Sequence, residues 1–392
     1  MKDKGVSKII MLGLIMKMHQ AHGRLSHKLI WITLILSTIF VTSGCHKRCP
    51  TAPAEPDAYW NTVTFGETAC NFVSNSRSFR GKLFATNRWG TLCFDDMDNY
   101  WQQHALGIST GLDYKPLISK DFTVYLRDRN IYITRTEGDA SGSIMIWPRD
   151  IDPKFEDFYF SHTYYEKELG LMNGNNRFLT WIRGTEDGHY MDYLVFVDLQ
   201  DAPIIQITNK GYWPASPPQE GANFWNVSFK GMLAMNNNFY IAYDNARTSY
   251  HRVIYPDLSY EEIQVNRYHS AITLFEYKGK IWAQLANTEL VYSSDFQNWE
   301  HFAWMEPYLF DIRAIDDYLF VHINDKAWFF SDSENPGSIY QIPTENMETR
   351  TITSISKFLD YLVITTTNGI FYKSYETIMN DKILNRGISL LQ

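Results

Sequence analysis

A pair of short hydrophobic segments recurs seven times along residues 81–374 of this 392-residue chain. The first segments start at Gly81, Asn130, Arg177, Asn238, Gly279, Tyr318 and Tyr361. The second segments are 90–95, 143–148, 193–198, 252–257, 289–294, 327–332 and 369–374. Equivalent positions in successive first segments are 38 to 61 residues apart, with a mean of 46.5. Both segments are rich in aromatic and β-branched residues, which is typical of β-strands.

Turn residues precede the first segment of each pair. They are Arg80-Gly81, Asp128-Arg129-Asn130, Asn173-Gly174-Asn175, Asn236-Asn237, Lys278-Gly279, Asp316-Asp317 and Asp360. Since Asn, Asp and Gly tolerate the positive φ that tight hairpins need, each repeat is predicted to contain a β-hairpin. A period of about 40 to 50 residues is typical of four-stranded propeller blades.

These repeats predict an all-β fold in which residues 59–392 form a single β-propeller of seven four-stranded blades. Residues 59–65 or 388–391 are expected to add a strand to the last blade and so close the ring. A propeller of six or eight blades, and a β-sandwich followed by a second β domain, are the alternatives.

The chain begins with features of an export signal. Residues 29–42 contain no charge, follow Arg24, His27 and Lys28, and are followed by the small residues Ser43 and Gly44. Fourteen helical residues extend about 21 Å, which is shorter than the hydrocarbon core of about 30 Å. We therefore interpret residues 1–44 as a signal peptide. A permanent transmembrane helix is the alternative.

The end of this segment, Thr42-Ser43-Gly44-Cys45, resembles the cleavage box of bacterial lipoproteins. Thr42 departs from the family pattern, in which Leu is usual at the first position. The resemblance implies cleavage before Cys45, lipidation of that residue, attachment to a membrane through the lipid, and location in the cell envelope at the outer membrane. Residues 45–58 contain Pro50, Pro53 and Pro56 and are predicted to be a stiff tether.

Charge and cysteine content limit the partners. Residues 45–392 carry 30 Lys and Arg against 43 Asp and Glu, a net charge of about −13. Because such a surface repels phosphate backbones, nucleic acid is not expected as a partner.

Cys49, Cys70 and Cys93 allow one disulfide in an oxidising compartment, and the sequence leaves its pairing open. No cofactor motif and no metal-binding motif is present, so no cofactor or metal is expected.

Residues 292–299, with Ser293, Asp295 and Trp299, resemble the Asp-box turn of sialidase-type propellers. The family's Gly is absent here, and Trp299 comes one residue early. In that family the box is structural, so the resemblance implies a propeller fold and no activity. Residues 94–101 and 330–333 are partial further copies. The family's Phe-Arg-Ile-Pro signature is missing, so no catalytic residue is assigned.

Candidate ligand residues lie in segments that a propeller brings to one end of the ring. Because strands within a blade alternate in direction, loops between second and third strands share a face with loops between blades. The longest insertion, 210–225, is rich in Pro and aromatic residues. Long loops on rigid scaffolds commonly carry binding groups. The candidates are Trp89, Tyr212, Trp213, Trp225, Arg267, His269 and, on an inner strand facing the channel, Arg313.

Two functions fit these features. The first is a lipid-anchored envelope propeller that serves as a ligand-binding or scaffold module for a glycan or a protein. A lipid-anchored propeller resembles, in architecture alone, the scaffold lipoproteins of outer-membrane assembly. The alternative is a glycan-active enzyme that uses carboxylates at the mouth of the propeller. For any single aromatic candidate, packing between blades is the competing role.

Overall fold

The computed structural model describes residues 60–63, 73–79, 81–87, 90–104, 117–126, 129–137, 142–160, 170–186, 188–215, 227–245, 248–305, 311–331, 338–344, 347, 351–381 and 383–384. These ranges contain 30 β-strands in seven antiparallel sheets of four or five strands. The sheets form a ring, so the prediction of an all-β propeller with seven blades is confirmed.

The first strand, β1 (Asn61–Val63), belongs to the last blade, and blades 1 to 3 follow it along the chain. Blade 1 consists of β2 (Val73–Phe79), β3 (Lys82–Asn87), β4 (Gly90–Asp96) and β5 (Asn99–His104). Blade 2 consists of β6 (Leu117–Ile118), β7 (Phe122–Leu126), β8 (Ile131–Arg135) and β9 (Ile144–Ile146). Blade 3 consists of β10 (Tyr159–Phe160), β11 (Leu171–Met172), β12 (Arg177–Glu186), β13 (His189–Gln200) and β14 (Gln206–Pro214).

Blades 4 to 7 are more regular. Blade 4 consists of β15 (Val227–Met235), β16 (Asn238–Asn245), β17 (Thr248–Ile254) and β18 (Tyr260–Val265). Blade 5 consists of β19 (Ala271–Tyr277), β20 (Lys280–Leu285), β21 (Glu289–Ser293) and β22 (Glu300–Trp304). Blade 6 consists of β23 (Asp311–Ile315), β24 (Tyr318–Ile323), β25 (Lys326–Phe330), β26 (Tyr340–Ile342) and β30 (Ile383–Leu384). Blade 7 consists of β27 (Ile352–Phe358), β28 (Tyr361–Thr366), β29 (Gly369–Ser374) and β1.

Helical structure is limited to short connections in the described ranges. They are α1 (Pro148–Ile151), α2 (Tyr375–Asn380) and two 3₁₀ turns at Pro153–Phe155 and Arg267–His269. None of these helices has the length and apolar character needed to cross a membrane.

Blade 7 closes the ring with a strand from the other end of the chain. β1 pairs with β29, with Asn61 opposite Tyr372 and Val63 opposite Ile370. The sequence predicted such a strand within residues 59–65, and this prediction is confirmed. The second candidate for closure, 388–391, lies outside the described residues. Closure matters because it replaces an open sheet edge with paired backbone groups.

The core lies in the seams between successive blades. On β24, Leu319 and Val321 pack toward blade 5, whereas Phe320 packs toward blade 7. On β28, Leu362 and Ile364 face blade 6, and Val363 faces blade 1. Each middle strand is therefore buried on both faces. This burial explains why the repeats appear in the sequence as continuous hydrophobic runs rather than alternating patterns.

The inner hairpins use the predicted turn residues. Gly81, Gly279 and Asp316 have φ values of +73°, +71° and +52°, and Asn236 and Asn237 are also positive. In the last blade the positive φ falls on Leu359, one residue before the predicted Asp360. A two-residue turn therefore imposes positive φ even on a residue such as Leu359, which seldom adopts it.

Blade 2 departs from the predicted strand order. The segment starting at Asn130, interpreted as a second strand, is the third strand, β8, and its predicted partner is the outer strand, β9. The second strand is β7, and the inner strand, β6, has only two residues. The prediction was wrong here because this inner strand is too short to produce a recognisable hairpin pattern.

Candidate functional site

The inner strands surround a central channel of about 760 Å³. Its wall is formed by residues of β2, β11, β15, β19, β23 and β27, together with a segment around β6. This volume lies within the range of about 300 to 1,000 Å³ that is usual for small-molecule sites. The channel is therefore a candidate site with room for a ligand.

The channel wall carries an excess of positive charge, although the whole chain has a net charge of −8. Among the described residues along the wall, the cationic side chains are Arg77, Lys120, Lys230, Arg313 and Lys357. The anionic side chains are Glu276, Asp311 and Asp316. A cationic channel in an acidic protein draws anions inward and distinguishes this surface from the rest of the molecule.

Several of these charges have partners. Lys357 Nζ lies 2.6 Å from Asp316 Oδ2, and Lys230 Nζ lies 3.6 Å from Asp244 Oδ2. Asp311 Oδ2 lies 3.6 Å from Nε2 of His322, whose ring is buried. Ion pairs therefore engage several of the charges along the wall.

Arg313 is the predicted site residue that reaches the channel. It lies on the inner strand β23 and lines the wall, together with Asp311 two residues earlier, as the sequence predicted. Whether it binds a ligand stays a prediction.

Tyr212 and Trp213 do not lie in a loop, so that part of the prediction was wrong. They belong to the outer strand β14, where Trp213 is opposite Leu194 on β13. The Trp213 ring packs 5.1 Å from the ring of Phe196, and the Tyr212 hydroxyl donates a 3.0 Å hydrogen bond to Asp152. Strand pairing extends to Pro214 because these two aromatic residues face the seams on either side of blade 3.

Arg267 and His269 are exposed on the 3₁₀ turn between blades 4 and 5. Between them lies Tyr268, which is 72% exposed. Asn266 holds this turn, because its side-chain oxygen accepts a 3.0 Å hydrogen bond from the backbone N–H of Tyr268. This turn lies at the connection between two blades, and its residues do not line the channel as Arg313 does.

The remaining predicted residues, Trp89, Trp225 and Cys45, lie outside the described residues, as do Cys49 and Cys70. Cys93 is buried on β4 as a free thiol. Among the described residues, no three His, Cys, Asp or Glu side chains form a group suited to a metal ion.

Sequence reasoning missed most of the channel cations. Arg77 and Arg313 both occupy the third position before an inner hairpin turn, and Lys357 occupies the second. A count backward from each predicted turn locates such residues on inner strands. Whether two of these cations face the same seam depends on how neighbouring blades pack, and the sequence of a single repeat does not show this.

The turn at 293–298 is organised around Asp295. Its carboxylate accepts hydrogen bonds from the backbone N–H groups of Gln297, at 2.9 Å, and Asn298, at 2.8 Å. These backbone donors hold the pKa of Asp295 well below its usual value. The turn also places Phe296 in the buried cluster between blades 4 and 5. The groups of this turn are therefore used structurally.

Comparisons with known proteins support the fold. No protein-family model matches the chain, and no curated protein matches it. An extracellular domain from B. thetaiotaomicron matches with a TM-score of 0.51 and 11% identity, over 81% of this chain and 40% of that one. PorZ, a surface component of the type-IX secretion system of Porphyromonas gingivalis, matches with a TM-score of 0.47 and 12% identity, over 85% and 39%. BamB from Moraxella catarrhalis matches with a TM-score of 0.43 and 9% identity, over 81% and 91%.

At sequence identities of 9 to 12%, these similarities indicate the fold alone. This chain spans about two fifths of the first two proteins. Fold and site together define a seven-bladed β-propeller with a cation-lined central channel and an exposed aromatic turn between two blades.

Proposed function

We propose that this chain is a lipid-anchored β-propeller of the bacterial cell envelope that acts as a binding or scaffold module for a protein partner. The observation that carries the proposal is the Arg267–His269 turn. Tyr268 is 72% exposed between two basic side chains, and its backbone is held by Asn266. Exposed Tyr and Arg on a fixed backbone are the residue types that dominate protein interfaces.

The anchor is supported by the sequence Thr42-Ser43-Gly44-Cys45, with a Pro-rich stretch between Cys45 and β1. Metabolic labelling with a fatty acid tests this arrangement. The unaltered chain and Cys49→Ala should be labelled, whereas Cys45→Ala should not. Equal labelling of Cys45→Ala would refute lipidation at this residue.

Partner binding is tested by placing a photo-crosslinking amino acid at position 268 in cells. We expect a discrete protein adduct from this variant. Adding Arg267→Ala to the same crosslinking variant should abolish the adduct. A crosslinker at Met145, an exposed residue on the outer strand β9 (46% exposed), is the matched control and should give no such adduct. Equal adducts at both positions, or none at 268, would contradict the proposal. Loss of the adduct when soluble glycan is present during irradiation would indicate a glycan partner instead.

The channel carboxylates favour a binding module over a glycan-active enzyme. Glycoside hydrolysis needs two carboxylates that flank the scissile bond. Of the three on the described wall, Asp316 is engaged by Lys357 and Asp311 lies beside His322. Turnover of any member of a glycan panel by the full chain would reverse this preference.

A further inference from the structure

A cation without a counter-ion lies at the wall of the central channel. Arg313 on β23 is half-buried and lines the channel. Within the part of the chain that the structure describes, its guanidinium group makes no ion pair and no hydrogen bond. A partly desolvated charge is stabilised when an anion pairs with it, so this group is poised to bind one.

The cross-strand neighbours identify the seam that Arg313 enters. Arg313 is opposite Phe320 on β24, and directly opposed residues in antiparallel strands project from the same face of the sheet. Phe320 belongs to the apolar cluster between blades 6 and 7. Arg313 therefore lies on the face of blade 6 that meets blade 7.

A second cation approaches the same seam from the other side. Lys357 on β27 is opposite Leu362, which belongs to the same cluster between blades 6 and 7. Its ammonium group lies 2.6 Å from Asp316 and 4.4 Å from the ring centre of Tyr375. Asp316 is thus paired with Lys357. Asp311 lies on the same face of β23 as Arg313, but its carboxylate is beside His322 and makes no ion pair with Arg313. Among the described residues, Arg313 is therefore left without a direct counter-ion.

We propose that this seam binds a small organic oxyanion, a carboxylate or a phosphate on a hydroxylated molecule that enters the central channel. The planar guanidinium fork of arginine matches both groups and can bind either in a bidentate manner. Asn236 and Asn237 on the same channel wall offer side-chain hydrogen bonds to ligand hydroxyls. The hydroxyl of Ser78 donates to the backbone carbonyl of Lys357, so it can only accept from a ligand. The channel volume of about 760 Å³ accommodates a molecule of this size.

Calorimetric titration of the full chain in detergent tests the site, with galacturonate, glucose 6-phosphate and neutral galactose as probes. At least one anion should bind saturably, and at least tenfold more tightly than galactose. Arg313→Gln should weaken that binding at least tenfold. Lys326→Gln is the matched control, because it removes an exposed charge from β25 of the same blade, and it should stay within twofold.

The outcomes separate the sources of the oxyanion. Binding of galacturonate alone identifies a carboxylate ligand, and binding of glucose 6-phosphate alone identifies a phosphate ligand. Arg313→Lys keeps the positive charge but lacks the planar guanidinium group, so it should bind the anion with intermediate affinity. Because it retains a cation at this position, this variant also shows whether lost binding by Arg313→Gln reflects a folding defect. The proposal is overturned if neither anion binds, if galactose binds as tightly, or if Arg313→Gln binds like the unaltered chain. These measurements do not involve Tyr268, so they stand apart from the test of the protein partner.

Discussion

The indole Nε1–H of Trp60 donates a 2.8 Å hydrogen bond to the backbone carbonyl oxygen of Pro343. Trp60 directly precedes β1, whereas Pro343 follows β26, so the bond joins residues 283 positions apart along the chain. Trp60 also packs in the apolar cluster between blades 6 and 7. The start of the propeller is therefore attached to the seam beside the blade that it completes.

Two substitutions of Trp60 should separate the contribution of its hydrogen bond from that of its packing. Trp60→Phe keeps an aromatic ring but loses the hydrogen bond, and should lower the free energy of unfolding by about 1 kcal/mol. Trp60→Ala also empties the cluster and should cost about 3 to 5 kcal/mol. Denaturant titration measures both, with the exposed Asn61→Ala as the control. Equal losses for Phe and Ala would contradict the packing role.

Arg252 is a buried link between blades 3 and 4. Its guanidinium group lies 2.6 Å from Glu262 and donates to the backbone carbonyl of Ala215 at 3.1 Å, and its side chain is only 2% exposed. Arg252→Met leaves a partly buried carboxylate unpaired and should lower the free energy of unfolding by about 3 to 5 kcal/mol. The exposed pair of Arg149 and Glu156 provides the control, since Arg149→Met should change stability by less than about 1 kcal/mol. Similar values for the two variants would refute the role of Arg252.

His251 should make stability depend on pH. Its ring is buried, its Nε2 accepts a 3.3 Å hydrogen bond from the backbone N–H of Ala271, and burial lowers its pKa to about 4. Between about pH 6.5 and pH 4 the unfolded chain therefore binds a proton that the folded chain does not. Stability is complete above this window and is lost as the pH falls through it, by about 3 kcal/mol from this residue.

Comparison of the unaltered chain with His251→Gln isolates this contribution. The difference in free energy of unfolding between pH 7 and pH 4 should be smaller in the variant, whereas His269→Gln on the exposed turn should behave like the unaltered chain. Parallel pH curves for His251→Gln and the unaltered chain would show that another group is responsible.

Cys93 should be chemically inert in the folded protein. It is fully buried on β4, and burial raises the pKa of its thiol to about 11. Because the thiolate is the reactive form, an alkylating reagent at pH 8 should modify Cys93 only after unfolding. Mass spectrometry of native and denatured samples measures this difference. Rapid alkylation under native conditions would contradict the burial of this thiol.

Much of the architecture was predictable because its determinants are local. The hairpins around Asn236-Asn237 and Lys278-Gly279 are set by residues that accept positive φ, and the middle strands are hydrophobic along their whole length. Blade 2 was assigned incorrectly, since β6 is too short to carry either signal. The candidate site was predicted less well: Arg313 does lie on the channel wall, but Tyr212 and Trp213 belong to a strand.

The sequence by itself determined the repeat and most of the turns, because each depends on residues close to one another along the chain. The number of blades was predicted as seven, and the tertiary structure decided it. The tertiary structure alone decided which side chains meet across a seam. Arg313 and Lys357 are 44 residues apart and face the same seam only because consecutive blades pack face to face. The pairing of β1 with β29 and the isolation of the Arg313 charge likewise depend on how the ring closes, since packing between blades is a property of neighbours and not of any one repeat.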